Sequence, residues 1–341
     1  MKTLSPKPAH MAMTPMAYAR TMVEALKRSG VDASEALQAA QITPSQLQTA
    51  DARITAAQME TLSARCMQRL DDEALGWFER RLPWGSYGML ARASLSAPDL
   101  RVALKRWCRH HGLLTGAVAL QLHDDGELAT LSLDAPGLAP EVLEFAVVTL
   151  LRNVLGFASW VIDSRIALRA AAFAFAAPPH ADAYAVLFPC PVRFEADAHR
   201  LHFDARYLRL APCRSEDDAR TMLQRALPLT VHHYRRDRLL VSQVRQLLQQ
   251  QPETLRDAAS IAHALAMSER SLHRQLHAEG SSLQSLKDQV RRQLACELLQ
   301  RSSKPLKQIA DAVGFRNEKS FIRAFRQWTG VTPQAWRTQT C

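Results

Sequence analysis

The clearest periodic run of apolar residues lies in the last forty positions. Leu306, Ile309, Ala310 and Val313 recur at i, i+3, i+4 and i+7, which lines one face of a helix. Pro305 suits the first helical position, where its missing N–H is not needed and its fixed φ is already helical. Gly314 follows where the chain leaves the helix through positive φ, a conformation glycine adopts without a Cβ clash. Asn317 is a good N-cap for a second helix. In that helix Phe321, Phe325 and Trp328 share one face, and at ~100° per residue Arg316, Lys319, Arg323 and Arg326 point the other way. The aromatic face reads as core rather than as a base-stacking platform. The basic face, taken alone, fits either plain solvation or contact with a polyanion.

A related pattern precedes it by about 49 residues. Leu255, Ala258, Ala259, Ala262 and Leu265 supply a small-residue apolar face, Met267 packs the turn, and Ser268 is an N-cap. In the next helix Leu272 and Leu276 face inward, while Arg270 and Arg274 face outward with Ser271 and His273 beside them. His273 has no second metal ligand at usable spacing, so it reads as a phosphate or base contact. Between the two units Leu283, Leu286, Val290, Leu294 and Leu298 mark one long amphipathic helix. Its roughly 18 residues span about 27 Å, a plausible spacer for two helices set one DNA turn, ~34 Å, apart. Arg291 on this spacer is a candidate phosphate contact.

Upstream the pattern mixes two periods. Residues 1–13 show no periodicity and are expected to be disordered. Residues 15–70 read as helices, with Gly30 ending the first and Asp32 capping the second. Ser96-Ala97-Pro98-Asp99 opens a helix running to His111. Residues 115–122 and 128–133 alternate around Asp124-Asp125-Gly126, a hairpin signal. A helix over 140–160 and an apolar strand over 166–175 follow. Val192-Arg193-Phe194-Glu195 and Leu201-His202-Phe203-Asp204 then read as a strand pair. Helices with mostly antiparallel strands predict an α+β domain over 14–227. Leu227-Pro228-Leu229 marks the boundary to an all-α domain over 228–341, opened by a basic helix near Val231.

Charge separates the two parts. Residues 230–341 hold 18 Lys+Arg against 9 Asp+Glu, so nearly all of the formal +10 sits in the last third of the chain. A basic domain gains affinity for double-stranded DNA by neutralising phosphates and releasing counterions. No run of 18 or more apolar residues and no aromatic RNA-stacking motif appears, which argues against a membrane or RNA as the partner. The six cysteines are scattered, with no C-x-x-C and no secretory leader, and read as free thiols in a reducing cytoplasm. Cys190, between two prolines, fits either a redox sensor or a packed thiol. The adjacent pairs His110-His111 and His232-His233 point in different directions on a helix and make poor chelates. With no nucleophile elbow, metal-ligand cluster or phosphate-binding glycine loop, no enzymatic activity, catalytic residue, metal or cofactor is expected.

These motifs carry a resemblance. Met267-Ser268-Glu269-Arg270-Ser271-Leu272-His273-Arg274, Val290-Arg291-Arg292-Gln293-Leu294-Ala295, Val313-Gly314-Phe315 and Gly330-Val331-Thr332-Pro333 place residues 235–337 beside the DNA-binding domain of the AraC family of bacterial transcription regulators, which they resemble in order and spacing. The resemblance implies two helix-turn-helix units, with base contacts at Arg270, Ser271, His273 and Arg274 in the first and at Glu318, Lys319, Ser320 and Arg323 in the second. The helical face adds Arg316. Glu318 is an acidic departure that fits either acceptance from a cytosine amino group or repulsion of phosphate. Trp336 stands where the family often has tyrosine.

The amino-terminal part resembles the sensory domain of the family branch that includes ornithine-utilisation regulators, through Asp72-Glu73-Ala74-Leu75-Gly76, Pro83-Trp84-Gly85-Ser86-Tyr87 and Phe188-Pro189-Cys190-Pro191-Val192-Arg193-Phe194. That implies a small-molecule effector or dimerisation, and activation through RNA polymerase. Arg80, Arg81, Trp84 and Tyr87 are the candidate effector contacts, for an anionic or amphipathic metabolite; the other reading packs Trp84 and Tyr87 in the core and leaves the two arginines solvated. The expected function is a cytoplasmic, sequence-specific transcription activator under effector control. The alternative is a DNA-binding regulator whose amino-terminal domain only forms a homodimer or binds protein partners.

Overall fold

Side chains that accept backbone N–H groups set many of the helix starts. Thr43 and Thr55 form capping boxes with Gln46 and Gln58, Asp99 accepts from the Val102 amide, and Ser215 pairs with Asp218. Asp32 accepts from the Ser34 amide, but Ala33 holds the cap position of that helix. The computed structural model describes residues 13–224, 237–250 and 257–339. The expectations for residues 1–12, Leu227-Pro228-Leu229, the helix near Val231, His232-His233, Leu255 and Cys341 lie outside the described residues. Two units are distinguished, one ending at Asp237 and the other beginning at Arg238.

The first unit is α+β. It opens with β1 (Thr14–Pro15), α1 (Met16–Arg28), α2 (Ser34–Ala39), α3 (Pro44–Gln48), β2 (Arg53–Ile54) and α4 (Ala56–Leu70). Next come α5 (Ser86–Leu95), α6 (Leu100–Leu114), β3 (Ala119–Asp124), β4 (Leu128–Asp134) and α7 (Pro140–Val161). It continues through β5 (Leu168–Ala172), α8 (Tyr184–Leu187), β6 (Val192–Arg193), β7 (His199–Asp204) and α9 (Glu216–Leu223). Met13 donates its amide to the Ile54 carbonyl, which ties residue 13 to β2.

Five strands form one sheet in the order β3-β4-β7-β5-β6. The hairpin expected around Asp124-Asp125-Gly126 is β3 and β4, paired from Asp124↔Ala129 to Ala119↔Asp134. The strand pair expected from residues 192–195 and 201–204 does not form. β5 lies between those two strands, antiparallel to β7 and parallel to β6. The apolar Ala171 and Ala172 are buried and suit an interior strand, whereas the exposed Arg193 suits the two-residue edge strand.

α7 is the one helix among the described residues long and apolar enough to cross a membrane. Its composition has a nearer cause, because Val142, Phe145, Leu151, Val154, Phe157 and Val161 are all buried in the domain core. It meets α1, α6 and β4.

The second unit is all-α: α10 (Leu239–Gln250), α11 (Ala258–Ala264), α12 (Glu269–Ala278), α13 (Leu283–Arg301), α14 (Leu306–Ala312), α15 (Glu318–Thr329) and α16 (Pro333–Gln339). It has two cores. Val244, Ile261, Leu272, Leu276, Leu286 and Val290 build the first, and Ala295, Leu299, Ile309, Val313, Phe321 and Phe325 build the second. α13 contributes to both. At ~100° per residue its buried positions shift by about 180° around the axis between Val290 and Leu299, so it carries two faces rather than one continuous stripe.

Candidate nucleic-acid interface and effector cavity

Both helix-turn-helix units close on the same backbone device. In the first, the Met267 amide reaches the Ala262 carbonyl at 2.9 Å and the Ala266 amide reaches the His263 carbonyl at 3.0 Å. In the second, Phe315 to Ala310 and Gly314 to Asp311 repeat those distances. This is the Schellman arrangement, which requires a left-handed residue after the helix. Gly314 supplies it at φ 80°, and Ala266 supplies it at φ 52° in the first unit. The apolar face of α11 differs from expectation. Ile261 and Ala262 are buried, but Ala259 is exposed, because the register of the helix turns Ile261 inward in its place. Pro305 occupies the cap position of α14, one residue before its first turn.

The following helices are fixed by side-chain caps. The Ser271 amide donates to Ser268 Oγ at 3.2 Å, and the Ser320 amide donates to Asn317 Oδ1 at 2.8 Å. Leu272 and Leu276 anchor α12, and Phe321 and Phe325 anchor α15, all four fully buried. That leaves Arg270, His273 and Arg274 exposed on α12, with Ser271 partly covered by its contact with Ser268. On α15, Lys319, Arg323 and Arg326 are exposed, Glu318 and Ser320 are partly buried, and Arg316 is exposed just ahead of the cap. Lys319, Arg323 and Arg326 also border an open depression with Gln327 and Thr332. The structure therefore gathers the predicted residues on the outer faces of two separately anchored helices.

Arg291, the candidate phosphate contact on the spacer, is held by two contacts inside the unit. Its guanidinium donates to the Gly314 carbonyl at 3.3 Å and lies 5.1 Å from the centroid of the Phe315 ring. It braces the turn of the second unit against α13.

In the first unit three successive carboxylates organise the segment 71–87. Asp71 accepts from the Trp84 amide, Asp72 accepts from Ala74, Gly76 and Leu82, and Glu73 accepts from Gly85 and Tyr87. These bonds shape one wall of a cavity of about 330 Å³. Trp84 and Tyr87 line it; Arg80 and Arg81 do not, and both are solvent-exposed, so these two proposed effector contacts are corrected. The reason is local, since the Asp72 and Glu73 staples direct residues 84–87 to the cavity and leave 79–81 on the outside of the loop. Glu60, Glu73, Arg92 and Asn153 line the cavity as well and were not anticipated. Glu73 sits inside a motif that carried the resemblance, which was its one visible signal.

The groups in this wall are chemically unusual. Burial raises the Glu73 carboxyl above its ordinary range, partly offset by the amides of Gly85 and Tyr87. The Tyr87 hydroxyl is buried without a hydrogen-bond partner, and burial raises it too. Elsewhere burial pushes the Cys190 thiol up to about 11, which keeps it protonated and disfavours a sensor role. His111 is buried and pushed down to about 4. No group of three or more metal-ligating side chains occurs among the described residues.

Comparison with known proteins matches this geometry. Residues 30–211 match the family described as the arabinose-binding domain of AraC transcription regulators, and residues 261–339 match a helix-turn-helix domain. The chain is similar to the ornithine utilization regulator of Pseudomonas aeruginosa, 28% identical over 327 residues, 95% of this chain and 96% of that one. It is also similar to the HTH-type transcriptional regulator VqsM of the same organism, 35% identical over 86 residues, 25% of this chain and 26% of that one. Among solved structures, the transcriptional regulator CdpR from Pseudomonas aeruginosa aligns over 99% of this chain and 100% of its own, at 18% identity and a TM-score of 0.31. With the first family match spanning more than half of the chain and the second lying on the two capped basic helices, the protein belongs to the AraC family of DNA-binding transcription regulators.

Proposed function

We propose that this regulator reads an asymmetric DNA site with α12 and α15 in successive major grooves, under control of a small molecule bound by the first unit. The observation that carries the reading is the pair of side-chain-capped helices, each anchored by its own core and each presenting exposed basic residues. Arg270, Ser271, His273 and Arg274 read one half of the site, and Arg316, Glu318, Lys319, Ser320 and Arg323 read the other. Arginine suits bidentate contact with guanine, and the helix N-termini suit phosphate. Because the two helices differ in sequence, one subunit reads two different blocks, and a dimer reads paired half-sites. The α13 spacer, at 19 residues, is about 28 Å long, close to one DNA turn. The cavity bordered by Trp84 and Tyr87 supports the effector. Activation in the cytoplasm through RNA polymerase is the direction that the family resemblance gives.

Selection of bound sequences from random double-stranded DNA tests the reading. The expected result is a motif of two unlike blocks with centres about ten base pairs apart. A single block, or no enrichment over random sequence, would overturn it.

A further inference from the structure

Beside the cavity of about 330 Å³ lies a second one of about 50 Å³, and Met67, Glu73 and Asn153 line both. The inner chamber is bordered mainly by Met59, Trp77, Phe78, Leu82, Phe145 and Leu150. Its polar groups are satisfied within the protein. Ser63 Oγ donates to Met22 Sδ, Thr149 Oγ1 donates to the Phe145 carbonyl at 2.7 Å, and the Glu73 oxygens accept the Gly85 and Tyr87 amides. Asn153 is engaged too. In the outer cavity Arg92 Nε donates to Glu216 Oε1 at 2.7 Å, and Glu60 is engaged as well. A charged ligand would therefore enter without a free countercharge. A sugar would exchange its hydrogen bonds to water for partners already taken, and both exchanges are costly. An apolar chain has no such loss and gains by leaving water. The amides of Gln68 and Gln224, both exposed, remain at the outer cavity for one polar end.

We infer that the two cavities act as one site for an uncharged amphipathic molecule, whose hydroxyl or carbonyl end meets Gln68 and Gln224 and whose apolar chain passes Met67 into the inner chamber. The inference rests on the effector reading above. Of the two ligand types expected from the sequence it keeps the amphipathic one and drops the anionic one. Met67 suits the doorway, because it is unbranched and its three rotatable side-chain bonds let it swing aside. The rings beyond it hold one another, with Trp77 and Phe145 edge to face at 4.9 Å. A chain lying there gains contacts that an empty chamber lacks. It also bridges three parts of the unit, since α4 supplies Met59 and Met67, the stapled segment supplies Trp77, and α7 supplies Phe145 and Leu150.

The test uses the full-length protein without DNA and 1-hexanol as the probe, beside hexanoate, hexylammonium and L-arabinose. Calorimetry should show saturable binding of hexanol alone among the four. Affinity should rise about fourfold for each methylene from 1-butanol to 1-hexanol. In protein labelled with methyl-¹³C methionine, hexanol should shift the resonances of Met67 and of Met59, which borders the inner chamber alone. Leu150→Phe, which fills that chamber from α7, should remove both the gain per methylene and the Met59 shift, whereas Leu150→Met should keep them. A circular dichroism spectrum matching the parent shows that each variant is folded, and the Met59 shift in the parent decides alone if Leu150→Phe is not. Preferred binding of any of the other three compounds, no binding of hexanol, or a shift of Met67 without Met59 would overturn the inference. Binding of one of the other three at Met67 would leave the effector reading standing, and sequence selection without any probe decides the DNA reading by itself.

Discussion

The first helix-turn-helix unit places an alanine, Ala266, at φ 52° in its turn, whereas the second places Gly314 at φ 80°. Both turns make the same pair of backbone hydrogen bonds. A residue with a Cβ pays roughly 1–2 kcal/mol to stand in the left-handed region, so the first unit holds its turn against strain that the second avoids. The second turn is also one residue longer before the N-cap: Met267 alone separates Ala266 from Ser268, whereas Phe315 and Arg316 separate Gly314 from Asn317. That extra position is what puts the exposed Arg316 at the mouth of α15, with no equivalent beside α12. Their cores differ as well, aliphatic around Leu272 and aromatic around Phe321. Equivalent backbone geometry therefore serves two capped helices of unequal support and unequal charge.

The largest expected effect comes from the cores. Phe321→Ala should cost about 3–5 kcal/mol, since the ring is fully buried and meets both Phe315 and Phe325. Leu272→Ala should cost about 2–5 kcal/mol in the other core. Native-state hydrogen exchange on α12 and α15 measures each loss where it occurs, and the comparison breaks if Phe321→Ala leaves α15 as protected as before. Next in size are the proposed DNA contacts. Arg323→Ala should cost about 1–3 kcal/mol of specific binding and relax preference at one or two base pairs of one block. Arg274→Ala should do so in the other block only. A quantitative binding assay over single-base variants of the selected site would expose an error if either substitution blurred both blocks alike.

The turns give smaller effects of opposite sign. Gly314→Ala should destabilise the second unit by about 1–2 kcal/mol. Ala266→Gly should stabilise the first by a few tenths to about 1 kcal/mol, after allowance for the greater freedom of glycine in the unfolded chain. Thermal unfolding of the pair settles the signs. Smallest is Arg291→Met, expected to cost about 1 kcal/mol of stability through the lost ring contact and the lost bond to the Gly314 carbonyl. It should leave the salt dependence of DNA binding unchanged; a slope lower by about one would mark Arg291 as a phosphate contact after all.

The contrast between the units also explains what was readable beforehand. The second unit announces itself, because Gly314, Asn317 and the spacing of Phe321 and Phe325 each encode one local event. The first does not, since alanine in a left-handed turn carries no signal, and a run of alanines leaves Ile261 and Ala259 interchangeable by period. The α+β character of the first unit, its hairpin and α7 were legible for the same local reasons. The partners of β6 and β7 were not, because pairing across a sheet depends on which strand claims the interior. Least legible was the cavity. Glu60, Glu73, Arg92, Asn153 and Leu223 come from separated parts of the chain and share no spacing.

α13 lies between α12 and α15 as a rigid rod whose length is also an angle. Adding one residue to an α-helix advances it ~1.5 Å and turns everything beyond by ~100°. Seven residues nearly restore the angle, within ~20°, but lengthen the rod by about 10 Å. On DNA that distance is about three base pairs, across which the groove itself rotates by roughly 100°. On the proposed two-groove reading, neither a one-residue nor a seven-residue insertion restores advance and phase together. The spacing between the two blocks of the operator is then a fixed gauge, cut once by the number of residues between Leu283 and Arg301.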